Sequence, residues 1–380
     1  DARLQVPPKS PFFGSAKSSG LLTDPSLVDS CGQSIGFWAS DRLETGFATF
    51  PLGFHSLEIC GPWPQESELL KCHVRITSLT DARVRSNLEF VDLQGRLLVR
   101  VTGWQDSRFD FPRPFSRFVL SPCERILSEN WPQAIQHLSA GRFQCCFLEK
   151  LPSAVFHGNL WPRAFARIIL TPSEREVWAN LKGVMKRRME WMMGRVAAKD
   201  AVRILLKDKA DLDLSPAEIE ISTDKYGRPI ISPGFVEKVN CQLIVSITHS
   251  RGRAMAIAGE KDSDHGIGID MEYLDRDLDG IKKGALSPQE LILLSSVCAS
   301  LQDEWILRMW CAKEAVAKAL GRGMAGSPFN LVIKALDSEK GTIAMTIAGE
   351  LAKQFPLLDQ KLLTSHTHRD NDLVVATSLV

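Results

Sequence analysis

One helical pattern followed by five short β-type segments sets the fold class of the first part of the chain. Behind Asp24-Pro25, which reads as an N-cap with proline at the first helical position, Leu27, Val28, Cys31, Ile35 and Trp38 recur at helical spacing. From Gly46 the pattern changes to β-type segments at 47–50, 56–60, 70–76, 84–91 and 97–104, with Asp92-Leu93-Gln94-Gly95 as the turn between the last two. A helix feeding an antiparallel meander is an α+β pattern.

Residues 1–22, rich in proline, glycine and serine, read as an extended arm, and 106–140 as a connector. A new domain is expected from about Gly141 to the end, giving divisions at 1–22, 23–105, 106–140 and 141–380. Thr171-Pro172-Ser173-Glu174 is a capping-box signal, and it predicts one long helix with Trp178, Leu181, Met185, Met189, Met192 and Val196 on one side, as core or as a ligand groove. Lys186, Arg187, Arg188, Arg195 and Lys199 lie on its other faces, as a solvated surface or a phosphate site. Two apolar β-type segments, 241–247 and 254–258, flank Thr248-His249-Ser250-Arg251-Gly252. A third runs Gly266-Ile267-Gly268-Ile269-Asp270-Met271-Glu272; Ser287-Pro288-Gln289-Glu290 then repeats the capping signal, and a helix over 302–320 stops at Gly321.

Composition excludes some partners. The 380 residues carry a net charge of +1, so neither nucleic acid nor a membrane surface is expected, and any anion must be held by a local cluster. The nine cysteines show no zinc spacing and read as reduced thiols of a cytoplasmic protein. No apolar run approaches the ~18 residues of a membrane span. The first residue is Asp1 rather than methionine, which points to a processed or excised piece.

Strand side chains alternate faces, so Asp270 and Glu272 point one way and Met271 the other. Such a pair is either a solvated strand edge or a holder of a hard divalent cation, magnesium or calcium. Glu314 and Lys318, four apart on the later helix, share a face as an ion pair or as part of the same site.

Taken in order, these motifs resemble the larger, pseudodimeric branch of the phosphopantetheinyl transferase superfamily. The residues that carry the resemblance are Gly268-Ile269-Asp270-Met271-Glu272 and Trp310-Cys311-Ala312-Lys313-Glu314-Ala315-Val316-Ala317-Lys318, against G-[IV]-D-x-E and W-x-x-K-E-[AS]-x-x-K. Upstream, Gly194-Arg195-Val196-Ala197-Ala198-Lys199, Tyr226-Gly227-Arg228-Pro229 and Thr248-His249-Ser250 are similar to its G-R-x-A-A, G-[KR]-P and S-H-S segments, with Thr248 in place of the first serine.

The resemblance implies a two-lobed α+β fold and transfer of the phosphopantetheine arm of coenzyme A to a serine of an acyl carrier protein. It implies that Asp270, Glu272 and Glu314 ligate Mg²⁺, and that Lys318 and Lys313 contact phosphate. Arg188, Arg195, Arg228, Thr248 and His249 would serve the nucleotide end of coenzyme A. Glu314 directly, or a water held by a metal ligand, is the candidate for taking the serine proton.

Asp24-Pro25-Ser26-Leu27-Val28-Asp29 and Gln33 resemble the second hot-dog half of a polyketide synthase dehydratase, H-P-x-L-L-D-x-x-x-[QH], with Asp24 where that motif has histidine. That resemblance implies a hot-dog half, helix plus antiparallel sheet, with Asp29 at the dehydratase aspartate. A dehydratase segment joined to a transferase suggests a polyketide or polyunsaturated-fatty-acid synthase that primes its own carriers. The alternatives are a dehydratase half acting on carrier-bound 3-hydroxyacyl chains and a non-catalytic carrier-docking module.

Overall fold

Helix α1 (Pro25–Arg42) starts at the marked proline and buries Leu27 and Ile35 in a core shared with an antiparallel sheet. The structure, a computed structural model, describes residues 1–6, 25–42, 47–80, 82–110, 118, 121–139, 141–151, 160–182, 185–261 and 266–380. They divide into two units, Asp1–Arg117 and Phe118–Val380. Asp24 lies outside the described residues.

The sheet of the first unit comprises β1 (Ala2–Gln5), β2 (Phe47–Gly53), β3 (Ser56–Ile59), β4 (Leu69–Leu79), β5 (Arg83–Val91) and β6 (Leu97–Asp110), in the order β1-β4-β5-β6-β2. Strand β3 also pairs with β6, at Val99–Thr102, beyond the stretch that β2 takes. Leu70, Cys72, Val84, Leu88, Phe90, Val99, Val101 and Trp104 are buried together, which leaves the alternate positions for solvent. Asp92 makes the expected turn, its Oδ1 accepting the amides of Gln94 and Arg96 at 2.9 Å each.

Three expectations need correction. Residues 1–22 are not wholly an arm, because Ala2–Gln5 pairs with β4 and Val6 is buried. Nor is 106–140 wholly a connector. Strand β6 continues to Asp110, and 121–139 belongs to the second unit, held by a buried pair on a later helix. Asp200 Oδ2 accepts the amides of Leu127 and Ser128 and the Ser128 hydroxyl, while Arg203 donates to the carbonyls of Pro122 and Cys123. The single long helix from Thr171 is also two. One helix ends at Asn180 and the next begins at Met185, with Arg188 donating across the corner to the carbonyls of Leu181 and Ala179.

The second unit contains one plan twice. The first pass is β7 (Glu129–Asn130), β8 (Phe143–Leu148), α2 (Leu160–Ile169), α3 (Pro172–Asn180), α4 (Met185–Ala210), β9 (Ile221–Thr223), β10 (Pro229–Ile231), α5 (Pro233–Val239), β11 (Leu243–Ser250) and β12 (Arg253–Glu260). The second is β13 (Ile267–Tyr273), α6 (Leu278–Ala285), α7 (Pro288–Leu293), α8 (Gln302–Leu320), β14 (Leu331–Asp337), β15 (Thr342–Ile347), α9 (Gly349–Gln354), β16 (Leu363–Asp370) and β17 (Leu373–Leu379). The sheets run β11-β12-β8-β7 and β13-β17-β16-β15-β14, so β8 pairs with β12 as β13 pairs with β17.

Buried chemistry repeats along with topology. In the first pass Glu174 closes the Thr171 capping box, pairs with Lys199, and accepts the amide of Ile221; Lys199 Nζ also donates to the Ile169 carbonyl at 2.7 Å. In the second, Glu290 closes the Ser287 box, pairs with Lys313 at 2.9 Å, and accepts the amide of Ile333; Lys313 Nζ donates to the Ala285 carbonyl at 2.8 Å. Each clamp ties a capped helix start, a long helix and the next strand together.

On β13, Ile267, Ile269, Met271 and Tyr273 fill a core with Phe143, Cys145, Phe147, Met255 and Ile257 of the other sheet. The opposite face carries Gly268, Asp270 and Glu272 toward α8. Gly268 is required by that approach, since a side chain there would collide with the Ala315 carbonyl oxygen. No described helix is long and apolar enough to cross a membrane.

Candidate active site

Asp270 is 6% exposed and its two oxygens differ. Oδ1 accepts the Thr248 hydroxyl at 3.0 Å and the Lys318 ammonium at 2.7 Å, and Lys318 also donates to the Ile269 carbonyl at 2.9 Å. Oδ2 is buried without a hydrogen-bond partner. Glu272 is held at both oxygens: Oε2 accepts the Ser250 hydroxyl at 3.1 Å, and Oε1 pairs with Arg276. The Arg276 guanidinium lies 5.4 Å over the ring of Trp310.

The residues that orient these carboxylates come from β11. Ser246, Thr248 and Ser250 alternate, and their hydroxyls meet the Ile269 amide, Asp270 and Glu272 respectively. His249, between two of them, is exposed. The alternation Ser246-x-Thr248-x-Ser250 is the sequence signal for this ladder; Thr248, expected at the nucleotide end of coenzyme A, is instead buried with its hydroxyl on Asp270. Glu314 reaches the site from α8. Burial raises its carboxyl pKa first and the charge of Asp270 second, while Lys318 and Arg276 oppose both.

A hard divalent cation fits this donor set. All the donors are oxygens, and Asp270 Oδ2 is a buried acceptor lacking a partner, with Glu314 in its field. Among the described residues, however, no three acidic, histidine or cysteine side chains are assembled for ligation. Asp270, Glu272 and Glu314 stand on facing elements, with Lys318 on the first and Arg276 on the second.

Beyond Lys318, α8 ends on Gly321, whose φ is +69°. A side chain at Gly321 would come within 2.9 Å of Arg228 Cδ. A cavity of about 580 Å³ opens here, lined by Arg228, Arg322, Asp224, Leu320, Phe355 and Leu357 among others. The Arg322 guanidinium lies 3.7 Å from the centre of the Tyr226 ring. Arg322 and Arg276 were missed by sequence reasoning, because neither falls inside a motif.

Three candidates are corrected. Lys313 is fully buried in its clamp with Glu290, so its ammonium does not reach a phosphate. Arg195 is also buried, its Nε 3.7 Å from Glu174 and its guanidinium 4.4 Å over the Trp191 ring. Arg188 is committed to the carbonyls at the α3–α4 corner. Each motif cation faces a structural partner that a linear reading does not show.

In the first unit, Asp29 is exposed on α1 and accepts the Gln33 amide at 2.7 Å. A buried acid of that unit outside the Asp92 turn is Asp106. One of its oxygens accepts the Trp104 indole N–H at 2.9 Å, the other has no partner, and burial pushes its pKa up to about 6.

Comparison with known proteins agrees with this division. The family model described as polyketide synthase dehydratase N-terminal domain matches residues 1–110, which bears out the dehydratase resemblance and replaces the second hot-dog half with the N-terminal domain. The helix and sheet of that unit form a hot-dog segment. The model described as 4'-phosphopantetheinyl transferase superfamily matches residues 266–377. The 4'-phosphopantetheinyl transferase HetI of Nostoc sp. strain PCC 7120 is 31% identical over 116 residues, 30% of this chain and 46% of that protein, so the match spans about half of HetI. The holo-[acyl-carrier-protein] synthase of Bacillus cytotoxicus is 36% identical over 94 residues, 25% of this chain and 72% of its own length. That of Halalkalibacterium halodurans is 33% identical over 109 residues, 29% of this chain and 83% of its own. With the β13 carboxylates, the α8 lysine and the doubled plan already in place, these matches show that the chain belongs to the 4'-phosphopantetheinyl transferase superfamily.

Proposed function

We propose that the second unit transfers the 4'-phosphopantetheine arm of coenzyme A to a serine of an acyl carrier protein, releasing 3',5'-ADP. The observation that carries this reading is the buried, unpartnered Oδ2 of Asp270 beside Glu314, with Lys318 bonded to the other oxygen. A bound Mg²⁺ would neutralise pyrophosphate charge, and Asp270, Glu272 and Glu314 would hold it. Lys318 meets the phosphate from α8, and Arg228 with Arg322 receives the 3'-phosphate end in the cavity beyond Gly321.

The serine oxygen forms a bond to the β-phosphorus, and the bond from that phosphorus to the bridging oxygen breaks. The electron pair leaves with 3',5'-ADP. The serine proton passes to Glu314 directly or through one water. Positioning and fixed charge supply most of the acceleration.

The match of residues 1–110 to a polyketide synthase dehydratase model supports a finer reading, that the carriers belong to a polyketide or fatty-acid synthase. Free thiols at Cys60, Cys72, Cys123, Cys145, Cys146, Cys241, Cys298 and Cys311 suit a cytoplasmic setting. As an alternative, dehydration would need a histidine and an acid in a sheltered site, and the histidines of the first unit are His55, which is exposed, and His73, whose partner Asp1 is itself an exposed side chain. Incubating the protein with coenzyme A, Mg²⁺ and an apo carrier, then weighing the carrier, tests the reading. An unmodified carrier overturns it.

A further inference from the structure

We infer that Arg276 is a latch on Glu272 that a metal ion must open, which makes it a positioning residue for the transfer site. The inference rests on the metal-assisted transfer proposed above. The two carboxylates of β13 are not equivalent acceptors. Asp270 keeps one oxygen without a partner, whereas both oxygens of Glu272 are taken, by Ser250 and Arg276. A cation settling on Asp270 Oδ2 meets at Glu272 a carboxylate whose charge Arg276 already holds, so the two cations compete for it.

The surroundings of Arg276 suit release. It follows the end of β13 in a turn, with its amide bonded to the Tyr273 carbonyl at 3.0 Å. Its side chain is 36% exposed against 17% for Glu272, so leaving the pair returns the guanidinium to water rather than stranding it. The ring of Trp310, 5.4 Å away, is a second resting place that does not depend on Glu272. Trp310 sits one helical turn before Glu314, so the displaced cation stays beside the site, where a bound pyrophosphate attracts it. Lys318 differs, being tied to both Asp270 and the Ile269 carbonyl.

The test measures binding of Mn²⁺ alone, from the electron paramagnetic resonance signal of the free ion, to the full chain without coenzyme A. Arg276→Gln should bind about three- to fivefold more tightly than the wild type, the size expected when a partly exposed competing pair is removed. Arg276→Lys, which keeps the charge, should stay within about twofold. In a Glu272→Gln background the Arg276→Gln gain should vanish, because the latch has lost its partner. Arg251→Gln, which removes a nearby cation paired with Asp275 instead, should change affinity by less than about twofold. Equal or weaker binding by Arg276→Gln overturns the inference. So does a gain that persists without Glu272, an equal gain from Arg251→Gln, or absence of Mn²⁺ binding by every variant. Failure of the transfer reading shows separately, as an unmodified carrier in the mass assay with the wild type.

Discussion

Asp270 is where buried charge, hydroxyl and ammonium meet, and its Oδ2 is the acceptor left over. Asp270→Ala should lower transfer by about a hundredfold or more, because the cation and Lys318 both lose their anchor. Its melting temperature should stay near that of the wild type. Lys318→Ala should lower kcat with either coenzyme A or its 3'-dephospho form. Arg228→Ala should raise KM for coenzyme A, an effect that disappears with the dephosphorylated donor. Steady-state kinetics with both donors checks the pair. The strand carboxylates were legible because alternation fixes their shared face. Lys313 and Arg195 were misread for the opposite reason: a cation in a motif looks available, and only packing shows that Glu290 and Glu174 already hold them. Asp106 gives a residue-scale test of pH dependence. Its pKa, raised from 3.8 to about 6, makes the folded state hold the proton more tightly, so stability falls as pH rises through that window. Asp106→Asn should therefore stabilise the first unit by about 2–3 kcal/mol above pH 6 and change little below pH 4, as measured by denaturant unfolding at both values.

The elements repeat a device that the sequence shows only at its ends. The capping boxes at Thr171 and Ser287 could be read directly, from proline and glutamate at fixed offsets. That each glutamate also holds a lysine from the long helix was hidden, because a lysine amid apolar residues gives no linear signal of burial. Removing one partner of such a pair leaves a buried charge, at a cost of about 3–5 kcal/mol. Lys313→Met should thus lower the melting temperature by roughly 6–15 °C, with Lys199→Met similar in direction. The Arg195→Ala variant belongs with them: a stability loss is expected, with KM for coenzyme A unchanged in the protein that remains folded. Apart from the far end of β6 and all of β1, the strands of the first unit were read to within three residues at each end, because their alternation is clean. Strand β1 escaped notice beside a stretch rich in proline and glycine, and the segment near Leu127 because its anchors, Asp200 and Arg203, lie far along the chain.

The whole molecule joins a hot-dog segment to a doubled transferase fold, and the transfer chemistry is assigned to the second unit alone. Residues 118–380 should therefore retain kcat/KM for carrier modification within about threefold, and Asp29→Asn in the full chain should leave it unchanged. A large loss in either would place part of the site in the first unit. The most direct measurement of the central claim is the intact mass of an apo acyl carrier protein after incubation with the full chain, coenzyme A and Mg²⁺. The expected result is a gain of one phosphopantetheine at a single serine, lost when the metal is chelated and lost with Asp270→Ala. A carrier that keeps its mass with the wild-type protein, or gains the arm equally in excess chelator, would contradict the account.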